Sequence, residues 1–193
     1  MKKLLFGAFL FASLAIVPVS AWEPDDLKKY PSCMNENNWI INFGTGYYIP
    51  YNPERGEINQ YIPSIRLSVD KNNSMGEKKL PFFLGGIIGY SGYGYNNVYL
   101  MHTIKAGLRL GYHFNWGVDN LDTYIVGTAG WKINLHSDHI NDTTSLCEFD
   151  LLNDLLAGVN LGARWFVNDF FGFWFEAGIS TSSLLDMGIT LKL

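Results

Sequence analysis

From about Asn38 to the end of the chain one pattern recurs. Roughly ten residues alternate between apolar and polar or small side chains, and a break rich in turn residues follows. Neighbouring side chains of an extended strand point to opposite faces, so a period of two marks a strand. Eight such segments can be counted: 38–47, 60–69, 80–90, 100–114, 121–135, 155–167, 170–180 and 183–193. Most match the span of about 9–11 residues that a membrane-crossing strand needs, and exceed the roughly 5–6 typical of strands in soluble proteins. The third segment is apolar on both faces, so its register stays open.

The charges distinguish a barrel in lipid from one in water. In segments four to eight one face carries no charge: Ile104, Ala106, Leu108, Leu110, Tyr112 and Phe114 form it in the fourth. The opposite face carries Lys105, Arg109, Lys132, Arg164, Glu176, Asp186 and Lys192 among Gly, Thr and Asn. In the second segment Arg66 opposes Ile65, Leu67 and Val69. A soluble barrel fills its inside with apolar side chains, whereas a bulky apolar face opposite a glycine-rich charged one suits lipid outside and a crowded lumen inside. On the apolar face Trp39, Tyr112, Phe114, Trp165 and Phe171 fall at one end of their strands, with Tyr47 and Trp131 at the other. Two aromatic girdles at the membrane interfaces would look like this. Hydrocarbon offers no partner to an open sheet edge, so the expected fold is all-β, an eight-stranded antiparallel transmembrane barrel with periplasmic termini. Eight strands leave a bore that side chains can fill.

What precedes the barrel fits this location. Met1–Ala21 reads as a cleavable export signal, with Lys2 and Lys3, an apolar stretch from Leu4 to Val17, and Val19-Ser20-Ala21 before Trp22. Residues 22–37, containing Pro24 and Pro31, read as an irregular periplasmic segment, and 38–193 as the barrel. Without Lys2 and Lys3, 12 basic side chains face 18 acidic ones, a net charge of −6 that argues against nucleic acid as a partner. The topology puts Cys33 and Cys147 at opposite ends, beyond disulfide reach, so two free thiols are expected unless the N-terminal segment threads the barrel. The long connections near 48–59, 91–99 and 135–154 should face outward and the short ones near 115–119 and 168–169 the periplasm. Residues 70–79 look long for a periplasmic turn, and the link after Ser180 looks short for an outer one.

The C-terminal third carries a family resemblance. Gly162-Ala163-Arg164-Trp165-Phe166-Val167-Asn168-Asp169, then Phe173-Trp174-Phe175-Glu176-Ala177-Gly178, resembles the last hairpin of small opacity-type outer-membrane barrels. The terminal run from Asp186 through Gly188 and Leu191 to Leu193 resembles their assembly signal, although such chains usually end in an aromatic residue. The resemblance implies an eight-stranded barrel inserted by the barrel assembly machinery. A turn around Asn168 predicts Leu161 beside Phe175, Ala163 beside Phe173, Trp165 beside Phe171, Gly162 opposite Trp174 and Asn160 opposite Glu176.

Candidate chemistry is sparse. Arg66, Lys105, Arg109, Lys132, Arg164 and Lys192 would share the lumen with Glu176, Asp186 and Asp122; buried charges must be paired, so a salt-bridged plug is expected over an ion path. His136, Asp138 and His139, near Asp142, Glu148 and Asp150, have the side chains for a divalent ion, but nothing completes a site. Ser137 and Ser91 lie near outer strand ends without an acid and a histidine in set relation to either. No catalytic residue, metal or cofactor is therefore expected. Tyr90, Tyr93, Tyr95 and Tyr99, set among Gly and Asn, read equally as an outer contact loop for a host or surface ligand and as a loop that is disordered or rests at the membrane interface. The other expected partners are outer-membrane lipid or lipopolysaccharide and the assembly machinery. The function expected is envelope integrity or adhesion, with a small-solute pore or a lipid A-modifying enzyme as alternatives.

Overall fold

Eight strands close on themselves in a computed structural model that describes residues 29–47, 58–75, 80–95, 99–138, 155–180 and 184–193. They are β1 (Trp39–Tyr47), β2 (Ile58–Met75), β3 (Leu80–Tyr95), β4 (Tyr99–Phe114), β5 (Leu121–Asp138), β6 (Leu155–Phe166), β7 (Phe171–Ser180) and β8 (Leu185–Lys192). Each pairs antiparallel with its sequence neighbours, and β1 pairs with β8 to complete the ring. No edge remains along the paired wall, which removes the unsatisfied amides and carbonyls of an open sheet. The export signal, the first part of the N-terminal segment and Cys147 lie outside the described residues.

Alternation sorts the side chains. On β1, Trp39, Phe43 and Tyr47 are exposed outside while Ile40 and Asn42 are buried inside. On β4, Leu108 is 69% exposed and its neighbour Arg109 0%. The doubly apolar β3 resolves the same way: Leu84 and Ile88 face out, and Phe83 and Ile87 face in. Phe83 lies inside because it packs edge-on against Tyr124, an aromatic layer within the lumen.

Three expectations need correction. The β6–β7 register pairs Gly162 with Glu176, Ala163 with Phe175, Arg164 with Trp174 and Trp165 with Phe173, two residues from the register predicted. Asn168 does not sit at a symmetric pivot: its side-chain oxygen accepts from the Phe170 and Phe171 amides and lengthens the turn. Gly162 accordingly makes room for Tyr124, its partner on β5, rather than for Trp174. Second, residues 70–75 are not a turn. β2 runs on to Met75, which shortens the link to β3 and places Asp70 in the wall. Third, Tyr93, Tyr95 and Tyr99 belong to paired strands, with Tyr93 opposite Met101 and Tyr95 opposite Tyr99, so the connection shrinks from 91–99 to 96–98.

The wall is uneven. β2 to β5 have 16–18 residues, against 8–12 in β1 and β6 to β8. Pairing within β2–β5 continues past the last β1–β2 pair, Gly46 with Ser64, and past the β5–β6 pair Trp131 with Leu155. Among the described residues one side of the barrel therefore rises above the other. The β2–β3 register shifts between Ile62 and Ile65, around Pro63, whose missing N–H cannot serve a ladder. At the opposite end the β4–β5 turn needs left-handed backbone at Gly117 and Asn120, both at φ 67°, residue types that tolerate it. The β1–β8 seam is tight: Gly44 faces Gly188, and a Cβ on either would strike the other strand's backbone.

Candidate functional site: the charged lumen and its cap

Inward positions on six strands supply one chain of alternating charge. Arg66 (β2) bridges Asp186 (β8) and Glu176 (β7), each at 2.7 Å. Arg109 (β4) bridges Glu176 at 2.6 Å and Asp70 (β2) at 3.0 Å. Arg164 (β6) bridges Asp70 and Asp122 (β5), each at 2.8 Å. Asp122 ends the chain at His113 Nδ1, 2.6 Å away. Each guanidinium thus spans two carboxylates, the use for which its planar fork of donors is suited. All eight side chains are buried, so this chain lies across the bore.

Neighbouring groups hold the charges in place. Tyr124 donates its hydroxyl to Glu176 at 2.8 Å, and Asn42 Nδ2 donates to Asp70 and Ser68. Asn42 Oδ1 accepts from Arg164 Nε and from the Thr190 hydroxyl. The Arg164 guanidinium lies 4.0 Å from the Tyr124 ring centre, and that of Arg66 lies 4.9 Å from the centre of Trp174. Cations on ring faces gain electrostatic attraction where water is excluded.

The positions singled out from sequence separate into two groups. Arg66, Arg109, Arg164, Glu176 and Asp186 join the chain, as does Asp122. Lys105 is buried but stands apart, donating to Ser64 at 2.8 Å, and Lys132 is half-buried as its Cα partner across β4–β5. Lys192 lies at the mouth, donating to the Cys33 carbonyl. Gly188 and Leu191 of the proposed assembly signal pair with Gly44 and Ile41, and Leu193 exchanges backbone hydrogen bonds with Trp39. Ser91 faces inward and is buried. His136 and Asp138 fall at the end of β5; His139, Asp142, Glu148 and Asp150 lie outside the described residues. Among the described residues no cluster of three or more His, Cys, Asp or Glu could hold a metal.

Asp70 and His113 were not anticipated as members of the chain. Asp70 carried no signal because polar residues follow it and suggest a turn. His113 did lie on the polar face of segment four, where alternation could have flagged it.

Residues 29–38 cap the lumen at the end where both strand termini meet. Met34 is 2% exposed and packs with Ile40 and Phe166. The cap's backbone carbonyls serve as acceptors for the barrel: Tyr30 from Asn115, Cys33 from Lys192, Asn35 from Asn72 and Asn37 from Lys71. Tyr30 donates its hydroxyl to the Phe82 carbonyl, and its ring lies 5.5 Å from that of His113. Burial, reinforced by the nearby Asp122 charge, pushes the free Cys33 thiol up to about 12. That is the behaviour of a dry seal.

No protein-family model and no curated protein matches the chain. Among solved structures it is similar to the N-terminal β-barrel domain of Pseudomonas aeruginosa OprF, at 13% identity and a TM-score of 0.45, over 82% of this chain and 98% of that one. A likeness of that size concerns overall shape, and nothing about function follows from it.

Proposed function

We propose that this protein is an integral outer-membrane barrel with a sealed lumen, serving the envelope as a structural and surface-contact element and not as an enzyme. One observation carries the reading: the wall is inside out relative to a soluble barrel. Leu108, Val159, Leu161 and Phe173 are each more than half exposed, while the three arginines of the charge chain are buried. An apolar surface running round a whole barrel far exceeds the few hundred Å² a soluble monomer exposes, and hydrocarbon would cover it. Trp39 and Trp165 toward one end and Tyr47 and Trp131 toward the other are half exposed, as rings seated at two headgroup levels would be. The cap then faces the periplasm, and β8 is the strand offered to the assembly machinery.

The charge chain speaks against transport of small solutes, because its guanidiniums and carboxylates bond to one another across the bore. It speaks against catalysis for a related reason: His113 and Asp122 are buried beneath the cap, and the Cys33 thiol is held protonated. Refolded protein in a planar bilayer should give no stable single-channel steps and should run with heat-modifiable mobility. Regular conductance steps would return the transport reading, and altered lipid A mass on overexpression would return the enzyme.

The raised β2–β5 wall favours surface contact as the role. It lifts the paired strand ends that carry Tyr93, Tyr95 and Tyr99 beyond the short strands, where they can meet a host or surface ligand. Replacing residues 91–99 should abolish binding of such a ligand while leaving heat-modifiable mobility intact; unchanged binding removes the contact role.

A further inference from the structure

Glycines on the two faces of the wall are there for different reasons. At inward Gly107 and Gly89 an ideal Cβ would lie 2.7 Å from the Ala129 carbonyl oxygen and 2.5 Å from the Lys105 side chain. At outward Gly86 the nearest atom is 3.8 Å away, so a side chain there would displace nothing. Glycine weakens a strand, and packing within this chain does not require it at 86. The gap it leaves belongs to an apolar groove of about 710 Å³ on the outside of β2–β6. Gly86, Ala106 and Ala129 form the floor, and Leu67, Ile88 and Trp131 stand around it. The Trp131 indole is the groove's one polar side chain.

A polar pair stands above this groove on the same face. Two rows further from the cap, Tyr90 on β3 and His102 on β4 stack at 24°, with the Tyr90 hydroxyl 2.5 Å from His102 Nδ1. The imidazole tautomer sets the roles in this contact; in the tautomer with its proton on Nε2 the hydroxyl donates to Nδ1, and Nε2–H makes no hydrogen bond to another described residue. From Ala106 to His102 is four residues of strand, roughly 13 Å. The glycerol and phosphate of one lipid, with the first methylenes of its chain, cover that distance.

We propose that the groove is a lipid site: an acyl chain of an outer-leaflet lipid lies along Gly86, Ala106 and Ala129, and a phosphate or ester oxygen of its head accepts from His102 Nε2. The assignment rests on the membrane reading above. A second copy of the chain is the weaker occupant. Apolar surfaces gain no hydrophobic drive toward each other within hydrocarbon, and the groove offers only the Trp131 indole as a donor to replace it. Lipid also surrounds the wall at far higher concentration.

Full-length protein in phosphatidylcholine vesicles doped with phosphatidylglycerol brominated on its acyl chains gives the test. Emission is compared between the wild type and Trp131→Phe, which isolates Trp131. Quenching of Trp131 at low bromolipid fraction should exceed that of random mixing. Gly86→Leu and Ala106→Leu should each bring it down to random mixing with heat-modifiable mobility unchanged, and His102→Phe should reduce the excess. No excess in the wild type, or the same excess in both groove variants, overturns the site while the quenching itself keeps the protein in the bilayer. No quenching at any fraction overturns the membrane reading and the site together. A self-associated species lost in Gly86→Leu assigns the groove to a second copy and also overturns the proposal.

Discussion

The two ends of the lumen solve the same problem with different density. Toward the cap, Asp70, Arg109, Arg164, Asp122 and His113 are bonded in series, aromatic rings flank them, and Met34 closes the mouth. Toward the raised wall the chain thins to Arg66 and its partner Asp186, Thr103 donates to Asn134, and Lys105 is bonded to Ser64 with another lysine as its Cα partner. Stabilisation by polar groups is therefore denser at the capped end, though not confined to it. A buried ion pair is costly to break by removing one partner, because the other is left charged and dry. Lys105, whose attraction to Asp186 is offset by Arg66 and Lys132, has less to lose.

Four measurements bear on this contrast, from the largest effect down. Glu176→Ala leaves Arg66, Arg109 and Tyr124 without their shared acceptor, and should lower unfolding stability in urea by about 3–5 kcal/mol. Gly111→Ala drives a Cβ against the Phe83 ring beneath the cap, and should cost about 1–3 kcal/mol in the same titration. Lys105→Met, at the sparse end, removes one hydrogen bond and an attraction to Asp186 but also repulsions from Arg66 and Lys132, and should change stability by about 1 kcal/mol or less. A loss as large as that of Glu176→Ala would erase the distinction between the ends.

The smallest effect concerns Cys33. Its thiol, normally titrating at 9.0, is raised to about 12 when folded, so the unfolded chain loses this proton first. The stability it contributes is intact below 9.0 and fades as pH climbs toward 12. At pH 8 iodoacetamide should spare Cys33 in the folded barrel and modify it after heating, as peptide mass mapping would read. Rapid labelling of the folded form would mean that the cap is wet.

Much of this architecture could be read from the residues, and the failures have physical causes. Segments such as 100–114 and 121–135 announced both strand and face because a charged lumen and an apolar exterior give alternation full contrast. Contrast vanished in β3, where Phe83 and Ile87 make the inner face as apolar as the outer. It vanishes again after Val69, where Lys71 and Asn73 face outward and are polar, so that Asp70 reads in the sequence as the start of a turn. The β6–β7 register failed differently. A slip of two residues keeps every side chain on its own face, and only the Asn168 turn and the space for Tyr124 distinguish the two alternatives. The cap was illegible because it is held largely by its backbone carbonyls, which every residue owns.

The glycine-on-glycine seam between β1 and β8 sets an order of events. Seven neighbouring strand pairs can zip as soon as each hairpin is made, but the eighth joins the first strand to the last. Until then the growing wall keeps two raw flanks. A bulkier residue at position 44 or 188 would leave all seven hairpins able to form and would obstruct only the weld, producing a curled ribbon with every strand in place that never becomes a tube.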